Sequence, residues 1–281
     1  MKSSILQRIV LAVIALPILI ATIVLFPQYN HPFFFLVILF ATVVGTYEMK
    51  ENILSKMGKV GNAAYLSVLF PIAEYIEQRF ATGSNLVLYT LAIVLGIEFA
   101  IEIFKSPEDG FTTTLGKTAR TVLATLYPAL FTAFVTKLLF LPNSTWFIVY
   151  YFALVFCTDT FAYFFGMAFG KNNRGIFKVS PNKSVAGFIG GIAVPTALGI
   201  AAPILYPQIF AYSPIVGAVL GIFVSLFSCA GDLIESTFKR AAGIKDSGKI
   251  LPGRGGMLDS LDSLMMAAPV YLLFIEIFLG A

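Results

Sequence analysis

Ten ionisable side chains crowd the stretch from Asp232 to Asp262, in a chain of which only 12% is charged. They are Asp232, Glu235, Lys239, Arg240, Lys245, Asp246, Lys249, Arg254, Asp259 and Asp262, and apolar runs flank them on both sides. Ionisable groups beside a bilayer are costly and tend to be kept for function. Carboxylates suit hard divalent cations while Lys and Arg suit phosphate oxygens, so this alternation fits metal–phosphate chemistry. Asp232, Ser236 and Arg240 recur every four residues and share one helix face. Glu235 and Lys239 repeat that spacing on the adjoining face, where an ordinary helix salt bridge accounts for them equally well. Asp259 and Asp262, three apart, share a face at the start of the last expected helix. The Gly-rich loop between the two acidic faces lets backbone N–H groups approach an anion closely. Such an arrangement can gather carboxylates around one or two cations, which polarise phosphoryl oxygens and stabilise a leaving pyrophosphate. The plainer alternative is a solvated loop with Asp259 as an N-cap.

Further polar positions lie upstream. Asp159 sits inside an apolar run, about three turns before Lys171, so it must face a bundle interior or a wet cavity. The following loop carries Lys171, Arg174, Lys178 and Lys183 without an anion, and ends Ser180-Pro-Asn-Lys183-Ser184. Contact with anionic lipid and phosphate binding explain it equally well. The run through Gly166, Gly170 and Lys171 does not meet the GxxxxGK[ST] spacing of a phosphate-binding P-loop. Glu98 and Glu102, four apart on one face, could line a cavity or pair with Lys or Arg. Cys157 and Cys229 lie deep in apolar runs and read as small buried hydrophobes. His31, the only histidine, is expected at the surface of a short loop, which excludes histidine-based general base catalysis.

What must position these groups is membrane helix. Hydrophobic residues make up 58% of the chain and mean hydropathy is +0.87, beyond the roughly 45–50% apolar content of soluble domains. The expected fold class is an all-α polytopic integral membrane protein. Nine runs approach the ~20 residues a span requires: 5–26, 33–48, 62–79, 85–104, 119–140, 146–170, 186–206, 212–231 and 263–281. The first is too long for a signal peptide and lacks a small-x-small cleavage site. With the N-terminus inside, 17 of the 19 Lys and Arg fall in inner loops, leaving Arg79 and Lys137 outside, a strong positive-inside bias. The charged stretch then faces the cytoplasm. Polar groups concentrate in the second half, so 1–145 is expected as a scaffold of about five spans and 146–281 as the catalytic half. Gly187, Gly190 and Gly191 in the seventh run permit close helix contact. A transporter would carry its polar groups near the midplane, whereas here most charge lies at one surface.

The residues of the C-terminal half resemble the phosphatidate cytidylyltransferase (CDP-diacylglycerol synthase) family. Its pattern Ser-x-x-Lys-Arg-x(4)-Lys-Asp is met by Ser236, Lys239, Arg240, Lys245 and Asp246. Its Gly-Gly-x-x-Asp-x-x-Asp continuation is met by Gly255, Gly256, Asp259 and Asp262. Upstream, Asp159, Ala162, Tyr163, Gly166, Gly170 and Lys171 fit as well, so the resemblance covers about residues 150–265. Arg254 stands where the pattern has His, Ser260 where it has Arg, and Asn182 and Ala186 replace a Lys and a Glu. The resemblance implies transfer of CMP from CTP to phosphatidate, giving CDP-diacylglycerol and pyrophosphate, at the cytoplasmic face of the inner membrane. It implies Mg²⁺, as one ion, as two, or with a monovalent cation, held by Asp232, Asp246, Asp259 and Asp262. Those aspartates with Lys239 and Arg240 would form the catalytic set. Ser180, Lys183, Ser236, Lys245, Arg254 and Asp159 would serve substrate binding. The partners implied are CTP, phosphatidate and membrane lipids, with no nucleic acid, and homodimerisation rests on family habit alone. A CTP-dependent lipid or polyprenol kinase needs similar residues and is the nearest alternative.

Overall fold

The computed structural model describes residues 2–104 and 111–279. Lys105, among the expected inner-loop cations, and the last two residues of the ninth expected span lie outside the described residues. Within them the chain forms helices α1 (Lys2–Val24), α2 (Pro32–Tyr47), α3 (Leu69–Phe80), α4 (Leu86–Ile103), α5 (Thr114–Lys137), α6 (Ser144–Phe169), α7 (Val185–Leu205), α8 (Pro214–Ala241) and α9 (Leu258–Leu279). Seven of these, α2 and α4–α9 with their short helical extensions, are long and apolar enough to cross a membrane. This is a polytopic α-helical membrane protein.

The expected span 62–79 takes a different form. A 3-10 segment, Asn62–Val68, leads into the 12-residue α3, whose α-helical rise is only about 18 Å. Asn62 and Ser67 are weak helix formers and Pro71 lacks an amide donor, so a uniform α-helix through them is disfavoured. Glu77, near the end of α3, instead accepts the free amides of Asn85 and Leu86 at 2.9 and 2.6 Å, placing a carboxylate at the start of α4.

The chain divides into two compact units. The first contains residues 1–140 and 238–260, so the end of α8 and the loop to α9 belong with α1–α5. Phe70, Val94, Ala129 and Ala133 form a buried cluster between α3, α4 and α5. His31 corrects an expectation: it is fully buried, with Nδ1 2.6 Å from the Ile23 carbonyl oxygen near the end of α1. The last carbonyls of a helix lack intrahelical donors, and the imidazole meets that need. Burial holds its pKa below the ordinary value. After Tyr47, α2 widens into a π-helical turn, Glu48–Ile53, and then a 3-10 turn, Leu54–Met57.

The second unit contains residues 141–237 and 261–281. Its α7 starts at Ser184, whose side chain accepts the Gly187 amide at 3.1 Å, the usual N-cap arrangement. Glycines let its backbones touch. A methyl group on Gly190 would overlap the Phe165 ring of α6, and one on Gly199 would overlap the Gly217 carbonyl of α8. The Tyr271 hydroxyl donates to the Phe147 carbonyl at 2.8 Å and that of Tyr151 to the Leu264 carbonyl. Both rings are fully buried, and these bonds tie α9 to α6.

Candidate functional site

In the first unit the site begins where α8 stops. Gly243 adopts φ +68°, and the Ile244 and Gly243 amides turn back onto the Lys239 and Arg240 carbonyls at 2.9 and 3.1 Å. This left-handed closure reverses the chain after the last helical turn. The loop then folds over the first turn of α9. Lys239 Nζ lies 2.5 Å from Asp259 Oδ1. Asp259 Oδ2 accepts the amides of Ser247 and Gly256 at 2.8 and 2.7 Å and lies 3.0 Å from the Ser247 hydroxyl. Asp259 therefore gathers three parts of the loop around one carboxylate. Gly255 and Gly256 are required by space. A methyl on Gly255 would sit 2.6 Å from Asp259 Oδ2, and one on Gly256 would overlap Ser247 Oγ. At Gly255 a φ of +109° adds a conformation that side chains resist.

Sequence reasoning did not find the second carboxylate here. Glu48, fully buried in the π-helical turn after α2, reaches the same loop from nearly the opposite end of the chain. It accepts the Met257 amide at 2.9 Å, the Leu258 amide at 2.8 Å and lies 3.0 Å from the Ser247 hydroxyl. Those two amides are among the first of α9, which have no partner inside their own helix. The adjacent Asn52 donates its side-chain amide to the Ser247 carbonyl at 2.7 Å. A wide helical turn often marks a functional position, and here it sets Glu48 against the loop. The available signal was an acid at the end of an apolar run, which demands a partner; the identity of that partner was not readable.

A second constellation lies in the second unit. Lys183 Nζ is 2.7 Å from Asp232 Oδ2, and the Ser236 hydroxyl is 3.4 Å from Asp232 Oδ1. The Ser263 hydroxyl lies 3.5 Å from Asp159 Oδ1, and the Ser263 amide donates to Asp262 Oδ1 at 2.7 Å. Lys183, Asp159 and Asp232 all act electrostatically on the Cys229 thiol, so the three charges converge on one region between α6, α7 and α8. At Gly231 there is no space for a methyl group against the Asp262 carbonyl, which brings α8 and α9 together beside Asp232. Of the expected site residues, this unit unites Asp159, Lys183, Asp232, Ser236 and Asp262. Ser180 is half-buried in the preceding loop.

The first unit unites Lys239 and Asp259, with Asp246 packed 3.3 Å from where a Gly255 side chain would begin. Arg240, Lys245, Asp246 and Arg254 are exposed, and Arg240 donates to the Ile244 carbonyl at 3.2 Å. Apart from the Lys239 and Lys183 ammonium groups, the polar groups around these acids are carboxylate, hydroxyl and peptide groups, whose oxygens are the hard ligands that suit Mg²⁺. Among the described residues no three His, Cys, Asp or Glu side chains converge as a ready-made cage. Mg²⁺ commonly takes only one or two carboxylates and completes its shell with water and substrate phosphate. The residues present therefore fit it.

The sequence profile described as the Cytidylyltransferase family matches residues 6–278. The chain belongs to that family. Its similarity to individual cytidylyltransferases is concentrated in part of the sequence. It is 44% identical over 124 residues to a phosphatidate cytidylyltransferase of Staphylococcus aureus (strain COL), covering 44% of this chain and 46% of that protein. Over 124 residues it is 43% identical to the protein of that name from Staphylococcus haemolyticus, with the same coverage. The match to the Haemophilus influenzae phosphatidate cytidylyltransferase is 42% over 134 residues, covering 45% of this chain and 44% of that protein. The chain thus spans about half the length of the curated relatives it matches.

Proposed function

We propose that the chain transfers the cytidylyl group of CTP to phosphatidate, forming CDP-diacylglycerol and releasing pyrophosphate. The observation that carries this reading is the ordered acid–cation loop of Lys239, Asp246, Ser247 and Asp259 in a member of the cytidylyltransferase family. A phosphate-binding loop needs fixed backbone and a surplus of cations at its surface. Glu48 and Asp259 supply the first, and Arg240, Lys245, Lys249 and Arg254, all exposed, supply the second.

The phosphate of phosphatidate attacks the α-phosphorus of CTP. A new P–O bond forms, the α–β bridge breaks, and pyrophosphate carries off the electron pair. A phosphate monoester with a second pKa near 6 is largely ionised at neutral pH, so the attack needs no general base. The single histidine is committed to a helix carbonyl, consistent with that economy. What remains is bringing polyanions together, which is positioning and charge neutralisation. Arg240, Lys245 and Arg254 would meet the triphosphate. Lys183, held by Asp232, would exchange that partner for a substrate phosphate oxygen, with Ser180 and Ser236 as further polar contacts. Lys239 is buried against Asp259 and acts by holding the loop. Mg²⁺ would be held by Asp232 in the second unit, where Asp262 already accepts a backbone amide, or by Asp246 in the first, where Asp259 does the same, and when bound it would supply charge neutralisation at the phosphates. We further propose that the active face is cytoplasmic, at the inner membrane.

The test uses purified protein, Mg²⁺, phosphatidate, and CTP labelled in both cytosine and γ-phosphate. Cytosine label in the lipid with γ-label leaving as pyrophosphate supports the proposal. Entry of γ-label into a lipid, with CDP accumulating, would replace it with a kinase.

A further inference from the structure

A cavity of about 80 Å³ lies in the first unit, lined by Asn62, Glu98, Glu102, Thr118 and Thr121 with Gly61, Ala63 and Ile101. None of these residues belongs to the candidate reaction site. Glu98 is 3% exposed. Its Oε1 accepts the Thr125 hydroxyl, while its Oε2 is buried with no hydrogen-bond partner. Glu102, one turn along α4, is paired with Lys117 at 2.6 Å. The cavity walls thus carry two carboxylates; Lys117 pairs with Glu102, which leaves Glu98 without an ion-pair partner among the described residues. An isolated buried carboxylate is strongly disfavoured unless a charge or hydrogen bond compensates it.

We propose that this cavity is a binding site for one small monovalent cationic group, seated on Glu98 Oε2. The walls supply the remaining ligands. The Thr118 hydroxyl donates to the Thr114 carbonyl and keeps its lone pairs, and the Asn62 side chain adds polar atoms to the wall. Thr121 Oγ1 accepts the Gly61 amide at 2.7 Å and donates to the Lys117 carbonyl at 2.8 Å, which fixes that side of the cavity. The charge shortfall is one, which selects a monovalent over a divalent occupant. At about 30 Å³ per water, the volume accepts a partly dehydrated alkali ion with one or two waters, or a primary ammonium. A quaternary ammonium has no N–H to donate to Glu98 Oε2, whereas a primary ammonium has three. An alkali ion from the aqueous phase and the primary ammonium of a lipid headgroup share this chemistry, and the experiment separates them.

The full chain is purified in detergent free of amine lipids, with EDTA present. Radioactive rubidium binding is measured by equilibrium dialysis for the wild type, Glu98→Gln and Thr118→Val. Thermal unfolding is followed in rubidium or potassium chloride against N-methylglucamine chloride at equal ionic strength. It is repeated in nanodiscs with phosphatidylethanolamine or phosphatidylcholine. An alkali occupant gives one rubidium per chain, abolished in Glu98→Gln and weakened about tenfold in Thr118→Val. A lipid occupant gives no rubidium, with a melting temperature raised a few degrees by phosphatidylethanolamine over phosphatidylcholine in the wild type and not in Glu98→Gln. Thr118→Val leaves Glu98 in place, so the reading survives poor folding of the glutamine variant. If neither rubidium nor the primary-amine lipid separates wild type from both variants, the proposal is overturned and Glu98 is simply a neutral buried carboxyl.

Discussion

Replacing Glu48 with alanine tests whether the candidate catalytic loop is held from the other end of the chain. Three groups lose their acceptor: the Met257 and Leu258 amides and the Ser247 hydroxyl. Ser247 retains Asp259 at 3.0 Å, so the damage concentrates on the two amides. Leu258 is fully buried, and a buried donor left without a partner costs about 1–3 kcal/mol. Two such amides give about 2–6 kcal/mol, and water entering the space left by the carboxylate brings this toward about 3 kcal/mol. At about 1.4 kcal/mol per tenfold, local opening of the loop should rise about a hundredfold. Hydrogen exchange reads this directly: the amides of residues 257 and 258 should lose about two decades of protection, while those within α7 stay unchanged. Cytidylyl transfer should fall with it. Glu48→Gln keeps one carbonyl oxygen but turns an NH₂ toward N–H donors, so it should retain less than half of the protection. Unchanged exchange at 257 and 258 in Glu48→Ala would refute the clamp, whatever happened to activity.

Three further outcomes follow from the geometry. Gly256→Ala places a methyl group onto Ser247 Oγ and Glu48 Oε2; it should remove turnover and lower the melting temperature by several degrees, and normal turnover would contradict the loop packing. Asp232→Asn removes the partner of Lys183 in a pair whose side chains are 28% and 36% exposed, so its effect on stability should stay under about 1 kcal/mol. Turnover should nevertheless drop at least a hundredfold, measured at matched folded concentration. His31 has a pKa depressed by burial, so the unfolded chain binds a proton at higher pH than the folded one. Stability is therefore full above about pH 6.5 and declines as pH falls from there through the depressed native value. His31→Gln should flatten that part of the melting profile, and an unchanged profile would show that another group governs it.

Periodicity and composition carry furthest where one physical demand dominates. Among the described residues, seven apolar runs form helices long and apolar enough to cross a membrane, because lipid leaves the backbone few alternatives. The run 62–79 did not, since Asn62, Ser67 and Pro71 weaken the α-helix inside a stretch whose average hydropathy still looks like a span. The four-residue spacing of Asp232 and Ser236 could be read directly because one helix fixes it. The Lys239–Asp259 pair could not, since it depends on how a 16-residue loop reverses direction between α8 and α9. Glu98 and Glu102 were readable as a pair on one face. Their division of labour, one neutralised by Lys117 and one facing a cavity, required the position of α5. Glu48 and His31 share a cause: each satisfies backbone groups at a helix end, and sequence does not say which helix end comes near.

The bond from Leu258 to Glu48 spans 210 residues, and this has a bearing on biosynthesis. At roughly 5–20 residues per second of chain growth, Glu48 emerges about 10–40 s before its amide partners exist. The chain from α3 to α8 must be made in that interval while the carboxylate waits without those partners. The loop is therefore unlatched on every nascent chain and closes only once α9 begins. Competence is gained in a single late step, so a ribosome stalled anywhere before α9 leaves a membrane-inserted chain whose loop has never been ordered.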